Sequence, residues 1–113
     1  PFLVYSTATP ERVAEVQRAL GRDVAAARVE RALALVAQRL VDRGVRRMIV
    51  AGGETSGAVV QALGIEALAI GPAIDPGVPW TTATGRTRLA LALKSGNFGA
   101  TDFFAKALAM LPD

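Results

Sequence analysis

The chain contains no cysteine and no histidine. That removes disulfides, thiol nucleophiles, Cys/His zinc sites and imidazole acid–base chemistry together. Carboxylates, lysine, arginine, hydroxyls and backbone amides are left to carry any chemistry. No apolar run approaches the ~20 residues that a membrane span needs, and no charged-then-apolar leader opens the chain. These absences lead us to expect a soluble, cytoplasmic protein with no membrane partner. Lysine is scarce as well: of the 13 cations, eleven are arginine. A nucleic-acid binder would cluster such charges with aromatics between them. Here Arg12, Arg18, Arg22, Arg28, Arg31, Arg39 and Arg43 are interleaved with Glu11, Glu15, Glu30 and Asp42, as solvated helix faces are. No nucleic-acid partner is expected.

What is present fits one compact domain, since 113 residues can bury a core without a covalent staple. The chain opens at Pro1 and runs directly into FLVY, so we expect a domain taken from a longer protein. Residues 2–6 read as a short strand. Thr9, Pro10 and Glu11 supply an N-cap, a first-turn proline and a first-turn acid, with Val13, Val16 and Leu20 on the buried side of the helix that follows. Gly21 ends that helix. Asp23 can cap a longer one, running to about Asp42, with Val29, Leu33, Val36 and Leu40 on one face.

Residues 46–51 read as a buried strand and 56–63 as a helix. Residues 65–70 are apolar until Gly71-Pro72 breaks them, and GPAIDPGVPW, residues 71–80, is expected to be irregular. Residues 88–93 alternate as a strand, and 101–111 as an amphipathic helix offering Phe104, Leu108 and Leu111 to the core. Alternating strands and helices predict an α/β fold: a single layered domain with a mixed, partly parallel sheet flanked by helices.

Between the second predicted strand and its helix lies AGGETSG. A loop leaving a buried strand for a helix sits at the carboxyl end of a sheet, where α/β proteins place ligands. Adjacent glycines let a ligand approach the backbone, and the first helical amides are unpaired donors suited to an anion such as phosphate. Gly52, Gly53 and Gly57 match neither GxGxxG nor a Walker loop. Glu54, Thr55 and Ser56 equally serve as helix caps, so the loop alone leaves capping and binding both open.

A second loop, KSGNFG, follows the strand at residues 88–93. Lys94, Ser95 and Asn97 offer polar groups, and Gly96 and Gly99 allow tight turns. If the two strands are parallel neighbours, both loops open on one sheet edge as two walls of a cleft.

GGETSGAVVQALG, then GPAIDPGVPW, then LALKSGNFG with DFF close behind occur in this order. Together they resemble the nucleotide-binding C-terminal domain of the four-carbon acid sugar kinase family, most strongly over residues 48–104. The resemblance implies two-domain enzymes of carbohydrate metabolism. They transfer the terminal phosphate of ATP to threonate, erythronate or 3-oxo-tetronate acids, with magnesium. It implies that residues 1–113 are the nucleotide domain, that Gly53, Glu54, Thr55 and Ser56 contact ATP or ADP, and that Gly96 completes the pocket. Gly52, Lys94, Ser95 and Asn97 adjoin it. No residue here is assigned to a metal. The sugar acid would be held by an N-terminal domain that this chain lacks, so the isolated chain is expected to be inactive. A homodimer is a further expectation.

Other residues have two readings. Trp80 could line an adenine pocket or anchor a core. Asp75 could bind a cation or act as a base, and Asp102 reads best as the acid at the start of the last helix. The competing function is a non-catalytic module that binds another anionic metabolite or serves as an interdomain or dimer surface.

Overall fold

The computed structural model describes residues 3–5, 9–85, 88–95 and 98–111. Helix α1 spans Pro10–Leu20. Thr9 caps it by accepting the Arg12 N–H at 3.2 Å, Pro10 opens it, and Gly21 closes it. The side predicted to be buried is not. Val13 is 41% exposed, Leu20 is also exposed and Val16 is half-buried, because α1 packs chiefly along α2 and not onto the sheet cores.

Helix α2, Arg22–Asp42, begins directly after Gly21. Asp23 therefore lies in its first turn, where an acid favours the dipole, and does not cap it as expected. Its buried positions are Ala34 and Ala37, with Leu33, Val36 and Leu40 half-buried and Val29 exposed. Small residues at the contact allow close approach, so the larger apolar side chains flank the seam instead of filling it. The α2 arginines Arg22, Arg28, Arg31 and Arg39 are exposed, as solvated-face residues should be.

Four strands follow: β1 Arg47–Ala51, β2 Leu68–Asp75, β3 Val78–Ala83 and β4 Leu89–Lys94. They form one sheet in the order β1-β4-β3-β2. β1 and β4 are parallel and the other pairs antiparallel, which gives the mixed sheet and the α/β class expected. Helix α3, Gly53–Ala62, connects β1 to β2, and α4 spans Phe103–Ala109.

Two predictions fail here. GPAIDPGVPW is not irregular; it forms the β2–β3 hairpin, turning at Pro76-Gly77 between the paired Asp75 and Val78. Strands tolerate proline where the ladder needs no donor. Pro72 falls within a register shift between Ile70 and Ala73, and Pro79 precedes the point, at Trp80, where β3 begins to pair with β4. Residues 3–5 are exposed and form no strand, because no sheet edge among the described residues pairs with them; Phe2 and Ser6 lie outside the described residues.

The sheet is covered on both faces. Leu89, Leu91 and Leu93 alternate with Ala90 and Ala92 along β4, and the two sets face opposite ways. The leucines join Val50 of β1, Val59 of α3 and Ala37 of α2 in one core. The alanines join Trp80, Val78, Ile74, Phe103 and Ala107 in a second core under α4. Trp80 is thus a core anchor: it is 3% exposed, and its Nε1 donates to the Ala107 carbonyl at 2.9 Å. On α4 the buried residues are Phe103 and Ala107. Phe104 is exposed, and Leu108 and Leu111 are half-buried, so the inward face is turned from that predicted. Asp102 stands at the α4 N-cap, as expected.

Candidate functional site

The parallel register pairs Ala51 with Lys94, so β1 and β4 end together at one edge of the sheet. The loops that follow them touch. The Gly52 N–H donates to the Lys94 carbonyl at 2.7 Å, which carries the ladder one residue past the strand. A Cβ placed on Gly53 would lie 4.0 Å from the Ser95 hydroxyl. Gly52 takes a φ of 106°, a conformation that glycine adopts without strain, and the chain enters α3 immediately at Gly53 instead of at Ser56.

The helix thereby begins inside the loop. Its first internal bond runs from the Ser56 N–H to the Gly52 carbonyl at 2.9 Å, and no side chain caps it. The amides of Gly53, Glu54 and Thr55 precede that bond and are the donors that a helix start leaves unpaired. They point to the side on which the helix field is positive, which suits an anion. Ser56 behaves differently, being buried with its hydroxyl donating to the Val50 carbonyl at 3.4 Å. Its side chain fastens the helix to β1. Lys94 is half-buried, donates to the Ser95 carbonyl at 3.3 Å and adds a positive charge to the same edge. Ser95 is exposed. Gly96 and Asn97 lie outside the described residues.

One carboxylate at the site escaped the sequence reading, which placed Glu30 on a solvated helix face. Helices α2 and α3 run side by side in the same direction: Glu30 meets Glu54, and Gln38 meets the Ala62 carbonyl at the same interval further along each helix. Glu30 is half-buried. Its carboxyl is held above the ordinary glutamate range, first by a hydrogen bond with Glu54, then by desolvation and by the Glu54 charge. Only the docking of α2 on α3 reveals this pair; twenty-odd residues of sequence between them carry no signal of it.

The model of a family described as a nucleotide-binding C-terminal domain matches residues 1–104. The chain belongs to that family. A curated relative, the 3-oxo-tetronate kinase of Pseudomonas savastanoi pv. phaseolicola, is 62% identical over 109 residues, covering 96% of this chain and 25% of the relative. A crystal structure of a Haemophilus influenzae protein superposes with a TM-score of 0.82 at 45% identity, over 92% of this chain and 25% of that one. A Bordetella bronchiseptica structure, described as a domain-swapped dimer with bound citrate, gives a TM-score of 0.64 at 34% identity, over 70% of this chain and 20% of that one. The chain spans about a quarter of the length of the curated relatives it matches. At this edge of the sheet the α3 start and Lys94 are groups whose chemistry suits an anion. Among the described residues no group of three or more Asp and Glu side chains could hold a metal ion.

Proposed function

We propose that this chain is the nucleotide-holding part of an ATP-dependent kinase for four-carbon sugar acids of the threonate, erythronate or 3-oxo-tetronate type. The observation that carries the reading is the parallel pairing of β1 with β4, which puts the unpaired α3 amides and Lys94 on one edge. Phosphoryl transfer asks a protein chiefly for positioning and for neutralisation of phosphate charge. The amides of Gly53, Glu54 and Thr55 would receive phosphate oxygens, Gly52 would let them approach, and Ser56 would seat the helix through Val50. Lys94 would supply charge, with Ser95, Gly96 and Asn97 completing the second wall. Magnesium would be carried chiefly by the nucleotide's own phosphate oxygens.

The sugar acid would be held by a further domain corresponding to the remaining length of the relatives. The whole enzyme would be cytoplasmic and act in carbohydrate metabolism, and this chain alone would bind nucleotide without turning over. A homodimer belongs to the proposal, supported by the domain-swapped dimer of the Bordetella structure.

Isothermal titration of the chain with ADP and ATP, with and without magnesium, tests the reading. Micromolar to low-millimolar binding that disappears in Gly53→Val is expected. Binding of sugar phosphates or carboxylates by a chain that ignores both nucleotides would replace it with a module for another anion.

A further inference from the structure

The hairpin turn of GPAIDPGVPW has no place in the cleft, yet it reaches the second loop from behind. Asp75, at the end of β2, is only 8% exposed. Its Oδ2 accepts the Ala100 N–H at 3.0 Å, and its Oδ1 pairs with the Lys106 ammonium on α4. Gly77, in the turn itself, lies under Phe98 so closely that a Cβ there would stand 3.0 Å from the ring. A Cβ on Gly99 would stand 2.9 Å from the Phe103 ring and 3.2 Å from Lys94 Cε.

The chain returning from the loop is therefore gripped at three successive residues: Phe98 by the hairpin turn, Gly99 by Phe103 and Lys94, and Ala100 by Asp75. Phe98 in turn donates its N–H to the Ser95 carbonyl at 3.1 Å, which links Ser95 to the same grip. Burying a carboxylate is costly unless its oxygens are matched by donors. Here one oxygen is matched by α4 and the other by the loop. In agreement, the Asp75 carboxyl is held below its ordinary range, first by Lys106 and then by the Ala100 amide.

We infer that Asp75 is a positioning residue for the nucleotide site: through the Ala100 amide it fixes residues 98–100, and through the Phe98–Ser95 hydrogen bond it sets Ser95 and Lys94 against the start of α3. The inference rests on the nucleotide reading proposed above. Asp75 touches no ligand itself.

A purely structural tie between β2 and α4 predicts something different, and three variants of the full chain separate the two. Asp75→Asn keeps an acceptor for Ala100 but loses the charge facing Lys106. Lys106→Met loses the ion pair and leaves the Ala100 bond. Asp75→Ala loses both. Thermal unfolding, ADP titration and amide exchange at Ala100 are measured for each. If Asp75 positions the loop, the first two variants melt earlier but bind ADP within about threefold of the original chain. Asp75→Ala should then bind about tenfold more weakly, as the loss of one charge-assisted hydrogen bond implies, with faster exchange at Ala100.

Should Asp75→Ala fail to fold, Asp75→Ala/Lys106→Met, which leaves no unpaired ammonium, takes its place. The inference is overturned if the alanine variant keeps its ADP affinity while Ala100 exchanges faster. It is equally overturned if affinity simply follows melting temperature across all three. A folded, unsubstituted chain that binds citrate or inorganic phosphate but no nucleotide would instead remove the underlying reading, and the inference with it.

Discussion

The turn into α3 is held mostly by bonds within it, with the Gly52 N–H reaching the Lys94 carbonyl, whereas the loop after β4 is held by more distant parts of the chain. At α3, Ser56 fastens its N–H to Gly52 and its hydroxyl to Val50, both within the same few residues. After β4, the grip comes from Asp75 and Gly77 on one side and from Phe103 on the other. A turn closed largely by its own backbone depends less on the surrounding core. A loop closed by long-range contacts moves with the β2–β3 hairpin and α4. Two walls of one cleft should therefore fail differently: the first through lost affinity with the fold intact, the second through lost stability as well.

Two glycine substitutions put the largest strain on this contrast. In Gly99→Val a φ of 90° and a Cβ 2.9 Å from Phe103 act together, and Phe103 is too buried to swing aside. Left-handed strain and overpacking cost roughly 3 kcal/mol combined. We expect the melting temperature followed by circular dichroism to fall by about 10 °C or more; a shift of a degree or two would show that the loop is not gripped. Gly53→Val should do the opposite. Gly53 is helical and meets nothing closer than the Ser95 hydroxyl, so the melting temperature should stay within about 2 °C while calorimetry finds ADP binding abolished. Unchanged ADP affinity would separate the α3 start from the ligand. Lys94→Met comes next: loss of one charged contact to phosphate predicts roughly tenfold weaker ADP binding and a shallower dependence of affinity on salt. An unaltered salt dependence would place Lys94 outside the site.

The difference between the two walls also marks what could be read from the residues. Gly52, Gly53 and the polar triplet after them announce a strand-to-helix turn because the bonds that close it, from Ser56 to Gly52 and Val50, are local, and that turn is where expected, though α3 begins earlier than the 56–63 predicted. The pairing of β1 with β4 was legible only as a condition, since a 43-residue separation between partners, as from Arg47 to Ala90, carries no register. The grip on the second loop was not legible at all. Asp75 is one carboxylate among ten in the sequence, and its role appears only when the hairpin folds beneath Phe98. The same reason explains the misread of GPAIDPGVPW: three prolines and two glycines spell irregularity locally, but a register shift and an unpaired strand margin absorb them. Apolar residues misled wherever their partner was uncertain. Val13 and Leu20 have the period of a core-facing helix, and α1 packs chiefly on α2.

Asp75 and Glu30 should titrate in opposite senses. Asp75 is lowered by Lys106 and Ala100, so its contribution to stability is present above the ordinary aspartate range and is lost as pH falls through its folded value. Lys106 is raised by Asp75, so its share persists below the ordinary lysine range and fades as pH climbs through its folded value. Glu30 is an acid that is raised. The folded chain therefore favours its protonated form. Its contribution is present below the ordinary glutamate value and is lost as pH rises through the folded one, when the Glu30 charge comes to face Glu54. Glu30→Gln removes that repulsion while keeping a hydrogen-bonding group in place. The smallest effect follows: a slight rise in melting temperature at pH 7 that disappears at pH 4, read from paired melting curves. A variant that melts earlier than the parent chain at pH 7 would mean that α2 does not bring Glu30 onto the start of α3 in solution.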